Sequence, residues 1–151
     1  MSQDPVQSFI AYAAAFEEAF AANDWHLVEP YLTPDAVSVV EDVPPPIGGR
    51  FAGRDAVLAA FKDSCASFDR RFDTREPKIV EGPLRLGDDG VYFTYVVTYR
   101  RTGLPPVELH GEEWDYFRDG QLVRHRERFS HVDEMLSFLA AHDAELKPVR
   151  A

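Results

Sequence analysis

The first third of the chain carries apolar residues at helical spacing. Five of them stand three or four positions apart, which predicts one amphipathic helix: Phe9, Tyr12, Ala13, Phe16 and Phe20. Asp4 and Pro5 favour the start of this helix, because an aspartate caps free N–H groups and a proline fits the first turn. Asn23 and Asp24 predict its end.

Three more helices are predicted from spacing and caps. Trp25 begins a short helix that Pro30 keeps brief, since proline disrupts a helix interior. Residues 53–68 again show helical periodicity. Near the C-terminus, Ser130 and Asp133 form a capping-box pattern for a last helix.

The rest of the chain alternates in the manner of strands. Runs of β-branched and aromatic residues predict strands at 36–42, 77–86, 91–100, 107–118 and 121–129. A loop rich in proline and glycine, 44–49, lies between the first strand and the third helix. Helices first and strands afterwards favour an α+β domain with an antiparallel sheet around a pocket. The length of 151 residues predicts a single domain, 1–151.

The clearest supersecondary signal is a hairpin around Asp119-Gly120. A two-residue Asp-Gly turn fixes the register of its strands, so Arg118 is expected to face Gln121. Counting outward without interruption predicts two charge pairs on a solvated face: Asp115 with Arg124, and Glu113 with Arg126.

The same count predicts which residues face the pocket. They combine aromatic bulk with titratable groups: His110, Glu112, Trp114, Tyr116, His125, Glu127 and Phe129. Glu112 and Glu127 would oppose each other, so one would keep its proton toward neutral pH and supply an acid beside a base. Phe117 and Leu122 fall on the solvated face, where they predict a homodimer contact.

Charge and cysteine content narrow the function. The net charge of -10 argues against nucleic acid and anionic membrane surfaces as partners. Cys65 is the single cysteine, so no intramolecular disulfide forms, and we interpret it as a buried apolar residue. The sequence shows no signal peptide and no membrane span, which predicts a cytoplasmic protein.

No metal or cofactor is expected. His110 and His125 would lie roughly 13 Å apart along the paired strands, too far to share one ion with bonds of about 2 Å. The glycines at Gly48, Gly49 and Gly53 are not followed by the Gly-Lys-Ser/Thr that a phosphate loop requires.

Three local motifs carry a resemblance to a known family. They lie at 22–25 with 31–37 (ANDW, then YLTPDAV), at 48–57 (GGRFAGRDAV) and at 117–129 (FRDGQL, then HRERF). In this order the chain resembles the SnoaL-like branch of the nuclear transport factor 2-like superfamily. The resemblance implies a cone-shaped half-barrel closed by helices over a cavity. Its members include polyketide cyclases, ketosteroid isomerases and epoxide hydrolases, as well as proteins without catalysis.

The resemblance also implies roles for individual residues. Glu127 occupies the position where relatives carry a cavity carboxylate that acts as acid or base, and His125 replaces a frequent tryptophan. The arginine of the epoxide hydrolases is missing. Asp42 lies near the place of the isomerase base. In this fold the aromatic side chains of the core also form the cavity wall. The resemblance therefore implies that five of them contact a ligand: Tyr12, Phe16, Trp25, Phe51 and Phe61.

The sequence therefore leads to one main hypothesis and one rival. The first is a cofactor-free enzyme that uses Glu127 as acid or base, assisted by His125 and Glu112, on an apolar small molecule. Isomerisation, cyclisation and hydration or hydrolysis all fit that chemistry. The rival is a noncatalytic ligand-binding or dimerisation module of the same fold.

Overall fold

The computed structural model of the protein describes residues 3–149. Its helices are α1 (Pro5–Ala22), α2 (Arg54–Ser67) and α3 (Val132–His142). Its strands are β1 (Leu32–Glu41), β2 (Gly49–Ala52), β3 (Thr74–Leu86), β4 (Gly90–Arg100), β5 (Val107–Arg118) and β6 (Gln121–Ser130). Among these residues, no helix combines the length and apolarity needed to cross a membrane.

The N-terminal helix forms where the sequence predicts it. The Asp4 carboxylate accepts a hydrogen bond from the Val6 N–H at 3.3 Å, and Asn23 ends the helix in a left-handed conformation. The short helix predicted after it consists of two 3-10 turns, Trp25–Leu27 and Glu29–Tyr31.

The C-terminal helix begins differently from the prediction. His131, in the left-handed region with φ 57°, precedes its first residue, and no side chain caps it. The predicted capping box of Ser130 and Asp133 is therefore wrong, because the chain stays in β6 through Ser130.

The sheet is curved and open, with the strand order β2-β1-β6-β5-β4-β3. This α+β architecture confirms the predicted fold class. Four strand pairs are antiparallel, but β1 and β6 run parallel, which the sequence did not predict. Hairpin turns constrain only consecutive strands, and the long connection between β1 and β6 leaves their direction free. The short strand β2 begins at Gly49, the last residue of the predicted loop, and continues through residues 50–52, for which no element was predicted.

The β5–β6 hairpin has the predicted turn. Asp119 and Gly120 both have positive φ, 52° and 79°, as a type I′ turn requires. Arg118 faces Gln121, as expected from the two-residue loop.

The register then shifts by one residue at Val123. Phe117 faces Leu122, but the next pair is Tyr116 with Arg124, so Val123 is an extra residue in β6. Such a bulge leaves two residues on one strand opposite one on the other. Beyond it, the two strands are offset by one position from the uninterrupted count.

The bulge reverses the predicted faces of β5. Trp114 pairs with Arg126 rather than with His125, and Glu113 rather than Glu112 lies across from Glu127. The charge pairs that supported the predicted register are therefore absent, and the prediction of Trp114 opposite His125 is wrong. Beyond the bulge, the faces of β6 are as predicted, since His125 and Glu127 point to the concave side.

The bulge also places two apolar residues in the core. Phe117 and Leu122 are 6% and 1% exposed and pack with the aromatic residues of α1. Neither can form the dimer contact that the sequence suggested, because both are covered within one chain.

Candidate active site

A cavity of about 370 Å³ lies inside the curve of the sheet, against α1 and α2. Its volume falls within the range of small-molecule sites. Most of its wall is aromatic or aliphatic: Phe9, Tyr12, Phe16, Phe51, Phe61, Phe68, Phe93, Val97, Leu109, Phe129 and Met135. An apolar wall of this kind weakens the solvation of any charge placed in it.

Three titratable side chains meet in this wall. Glu113 comes from β5, and His125 and Glu127 come from β6. Each offers one polar atom, and these atoms all lie within 4.8 Å of one another. They converge because Glu113 and Glu127 are register partners and His125 is two residues from Glu127 on the same face.

His125 is held at both ring nitrogens. Its Nε2 lies 3.3 Å from Glu113 Oε1, and its Nδ1 lies 2.7 Å from Ser38 Oγ. Ser38 reaches it because the two residues are partners in the parallel β1–β6 pair. Burial is the largest single effect and disfavours the charged imidazolium. The charge and hydrogen bond of Glu113, together with the charge of Glu127, outweigh it, and the pKa of His125 is raised.

Glu113 is the anionic centre of the cluster. Burial opposes its ionisation, but the charge of His125 and hydrogen bonds from His125 and Glu127 together lower the pKa of Glu113. Asp115, two residues further along β5, is fully buried. Burial and the neighbouring Glu113 charge hold the pKa of Asp115 well above its usual range, so this side chain keeps its proton.

Glu127 is poised near neutral pH. Burial, followed by the charge of Glu113, raises the pKa of Glu127 from its usual 4.5 to about 8, against the opposing effects of His125 and Tyr95. The Tyr95 hydroxyl donates a hydrogen bond to Glu127 Oε2 at 2.6 Å. At pH 7 Glu127 is therefore protonated in most molecules and ionised in the remainder.

A glycine allows Tyr95 to reach Glu127. Tyr95 lies on β4 and Glu127 on β6, so the tyrosine ring must pass over β5 between them. Its register partner on β5 is Gly111, and a side chain at that position would overlap the Tyr95 ring and hydroxyl. Because Gly111 has no side chain, the Tyr95 ring can pass close to the backbone of β5.

The trio also has the donor types of a divalent-cation site. Carboxylate oxygens and an imidazole nitrogen are ligands that zinc accepts, and a histidine ligand is commonly held at its other nitrogen, as Ser38 holds His125. Binding would have to displace the protons of His125 and Glu127. The sequence argument considered His110 with His125 and not this trio, so the expectation of no metal stays a prediction.

The structure places most of the predicted site residues of α1, α2, β2 and β6 in the cavity wall. These are Tyr12, Phe16, Phe51, Phe61, His125, Glu127 and Phe129. Trp25 lies one layer behind them: it is buried and packs against the rings of Phe16 and Phe61 without lining the cavity.

The predicted residues of β5 lie on the opposite face of the sheet because of the bulge. Glu112 accepts a hydrogen bond from the Tyr92 hydroxyl at 2.7 Å. His110, Trp114 and Tyr116 share this outer face and do not line the cavity. Their predicted contact with a ligand in the cavity is wrong, as is the assistance of Glu112 to Glu127.

Asp42 is also outside the cavity wall. It follows β1 with a positive φ of 64°, and its carboxylate lies 3.3 Å from Arg128 Nε at the surface. This placement contradicts the predicted role of Asp42 as a catalytic base, since it does not face the acid–base trio.

Around the acid–base cluster of Glu113, His125 and Glu127, the sequence reasoning missed four polar residues: Ser38, Tyr95, Glu113 and Asp115. One signal could have found two of them. Phe117 and Leu122 stood as apolar exceptions on the supposedly solvated face. A bulge between Leu122 and Arg124 removes that exception and turns Glu113 and Asp115 inward.

Comparison with known families agrees with this geometry. The model of the SnoaL-like domain matches residues 13–125, which is most of the chain. The chain belongs to the SnoaL-like family. No curated protein matches this SnoaL-like chain in sequence.

Solved structures show the same fold. Bal32a, from a soil-derived mobile gene cassette, is 18% identical with a TM-score of 0.66, covering 89% of this chain and 98% of its own. TerC, co-crystallised with polyporic acid, is 16% identical with a TM-score of 0.61, covering 85% and 96%. A Catenulispora acidiphila DSM 44928 protein with a ketosteroid isomerase-like fold, in complex with trimethylamine, is 16% identical with a TM-score of 0.57, covering 80% and 85%. The family match confirms the SnoaL-like assignment, and the solved structures confirm the fold that the resemblance to nuclear transport factor 2-like proteins implies.

Proposed function

We propose that this SnoaL-like protein is a cofactor-free enzyme that moves a proton on an apolar small molecule, as an isomerase or cyclase does. The observation that carries the proposal is the Glu113–His125–Glu127 trio in the wall of an apolar cavity. The polyporic acid complex of TerC and the isomerase-like fold of the Catenulispora protein support it.

Glu127 is the group that exchanges the proton with the substrate. A general acid or base works best with a pKa near the working pH, and a pKa of about 8 meets that condition. The ionised carboxylate takes a proton from a carbon next to a carbonyl group and returns it to another carbon. Burial raises the proton affinity of Glu127 most. The Glu113–His125 ion pair remains fixed and adjusts that affinity, since Glu113 raises it and His125 lowers it.

The charge that develops on the substrate oxygen needs a hydrogen-bond donor. Tyr12 lines the cavity, and burial holds the pKa of its hydroxyl well above its usual range, so this hydroxyl keeps its proton. The proton of the Tyr95 hydroxyl is already donated to Glu127. A phenolic hydroxyl in a dry wall stabilises an enolate oxygen more strongly than it would in water. If the enolate carbon attacks a second carbonyl group, the same step leads to cyclisation.

Exchange of hydrogen for deuterium tests the proposal without knowledge of the natural substrate. We expect the protein in D₂O to accelerate exchange at the carbon between the ring and the carbonyl of 2-tetralone, a bicyclic ketone, followed by mass spectrometry. Glu127→Gln should lower the rate by roughly 10²–10⁴-fold, and the rate should rise with pH through about 8.

The matched control is Glu112→Gln, one residue from Glu113 but on the outer face. It should exchange at the wild-type rate, and EDTA should leave the wild-type rate unchanged. Saturable binding of the ketone with no exchange above buffer would overturn the proposal and favour the noncatalytic binding module. Loss of exchange in EDTA would show that a metal occupies the trio.

We also propose that two copies associate through the outer face of the sheet. Tyr92, Trp114 and Tyr116 lie there beside Arg124 and Arg126, and such aromatic and arginine residues are enriched in interfaces. Light scattering after size exclusion should give twice the mass of the chain. A monomer at micromolar concentration would contradict the dimer and leave the catalytic proposal untouched.

A further inference from the structure

A second polar cluster lies in the wall of the same cavity. Asp69 Oδ2 accepts hydrogen bonds from Arg75 Nε at 3.0 Å and from the Tyr99 hydroxyl at 2.7 Å. Arg75 also donates from Nη1 to Glu17 Oε2 at 2.7 Å. All four residues line the cavity. Within residues 3–149, no hydrogen bond or ion pair joins any of them to the acid–base trio.

The spacing of two tyrosines separates this cluster from the trio. Tyr95 and Tyr99 stand four residues apart on the same face of β4, so their Cα atoms are about 13 Å apart at the rise of a strand. Tyr95 donates to Glu127, and Tyr99 donates to Asp69. The two carboxyl groups thus mark two ends of one apolar cavity.

The hydrogen bonds define what the Asp69 end accepts. Both partners of Asp69 bind Oδ2, and within residues 3–149 no other side chain donates to its Oδ1. A carboxylate has room for about four hydrogen bonds, so Oδ1 can accept one from a ligand. Arg75 is already shared by Asp69 and Glu17, so an anionic group would meet two carboxylates around one guanidinium.

We propose that the cavity binds an elongated, uncharged ligand with an apolar ring body and a hydroxyl group at its far end. The body lies along the aromatic wall, one end meets Glu127, and the distal hydroxyl donates to Asp69 Oδ1. The assignment of the Glu127 end rests on the proposed function, whereas the assignment of the Asp69 end rests on the second cluster alone.

Two rigid ligands of equal shape test the distal hydroxyl. We compare the affinity of the protein for 4,4′-dihydroxybiphenyl and for 4-hydroxy-4′-methylbiphenyl by calorimetric titration. A hydrogen bond to a charged acceptor should favour the diol by about 10-fold, although the methyl compound is the more apolar. Equal affinities, or a preference for the methyl compound, would overturn the proposal without any variant.

Variants then locate the preference. Asp69→Asn, which keeps the shape but removes the charge, should reduce the preference for the diol to about 3-fold or less. Asp63→Asn, on the exposed side of α2, is the matched control and should keep it. An unchanged preference in Asp69→Asn would contradict the assignment. If that variant does not fold, the comparison of the two ligands in the wild-type protein remains decisive.

A third ligand examines the charge argument. Lys78 is another cation in the cavity wall, so 4′-hydroxybiphenyl-4-carboxylate would bind more tightly than the diol if the far end recognised an anion. We expect it to bind at least about 10-fold more weakly. If the diol is preferred but Glu127→Gln leaves proton exchange unchanged, the proposed function alone is contradicted. Exchange that depends on Glu127, without a preference for the diol, would sink this inference alone.

Discussion

The two faces of the β5–β6 hairpin carry similar residue types in different surroundings. The outer face has Glu112, His110 and Trp114, and the inner face has Glu113, Asp115 and His125. On the outer face Glu112 lies 4.0 Å from Arg128, and about half of the Arg128 side chain is exposed. On the inner face the same kinds of groups are closed off from water.

Burial is what separates the two sets. Exposed ion pairs contribute roughly 0–1 kcal/mol, because water screens the charges. Within the cavity wall, burial and like charge raise the pKa of Glu127 to about 8, and His125 holds Glu113 ionised. Adjacent glutamates on one strand, Glu112 and Glu113, thus differ in their surroundings because of the face they occupy, which is set by one bulged residue.

The largest difference between the faces is expected in stability. Phe117→Ala should lower the free energy of unfolding by about 3–5 kcal/mol, because it empties a buried site between α1 and the sheet. Trp114→Ala, on the outer face, should cost about 1 kcal/mol through its contacts with Tyr92 and Arg126. Urea unfolding of both variants measures the contrast, and equal losses would contradict the assignment of faces.

The two faces of the hairpin should also differ in how the free energy of unfolding depends on pH. The pKa of Glu127 is raised from 4.5 to about 8 by folding, so its contribution to stability is complete below pH 4.5 and is lost as the pH rises through about 8. Glu127→Gln does not titrate. The variant should therefore gain on the order of 2–4 kcal/mol over the wild type between pH 4.5 and 8.5.

Glu112→Gln is the control for this effect. Its unfolding free energy should run parallel to that of the wild type over the same pH range, since Glu112 lies on the outer face. Urea unfolding at pH 4.5, 6.5 and 8.5 supplies the data. A parallel course for Glu127→Gln would show that Glu127 titrates normally in the folded protein.

The smallest effect is expected at the outer face itself. Arg126 lies 4.5 Å from the centre of the Trp114 ring and 3.2 Å from Glu41 Oε2. Arg126→Met should lower the unfolding free energy by about 0.5–1 kcal/mol, with a smaller loss in high salt. This value applies to the single chain, measured below the concentration at which the proposed dimer forms. A loss above about 3 kcal/mol under that condition would mean that Arg126 is buried within one chain.

Local patterns predicted most of the fold. The periodicity of α1, the Asp119-Gly120 turn and the long strands β4 to β6 all follow from residue spacing and turn chemistry. The parallel β1–β6 pair did not, because it depends on contacts between segments far apart in the chain. The short β2 was missed although it pairs with the nearby β1, because its four residues contain no β-branched side chain. The SnoaL-like resemblance supplied the architecture that periodicity alone leaves open.

The site was predicted on one strand and missed on the other. Glu127 and His125 face the cavity as expected, since two arguments placed β6 and the bulge does not alter its distal half. Glu112 and Trp114 were assigned to the wrong face because a side-chain period of two makes a shift of one residue reverse a whole strand. Ser38 and Tyr95 join the site through strand pairing that the sequence does not reveal.

Titration of the Glu127 carboxyl is the most direct test of the proposed acid–base site. Protein labelled with ¹³C at the glutamate side-chain carboxyls is followed by NMR from pH 3 to pH 10, and the Glu127 signal is identified by its loss in Glu127→Gln. This signal should titrate near pH 8, where the Glu127 carboxyl loses its proton beside an ionised Glu113. A signal for Glu127 that titrates near 4.5 would contradict it, because Glu127 would then be an ordinary carboxylate at every pH at which the protein works.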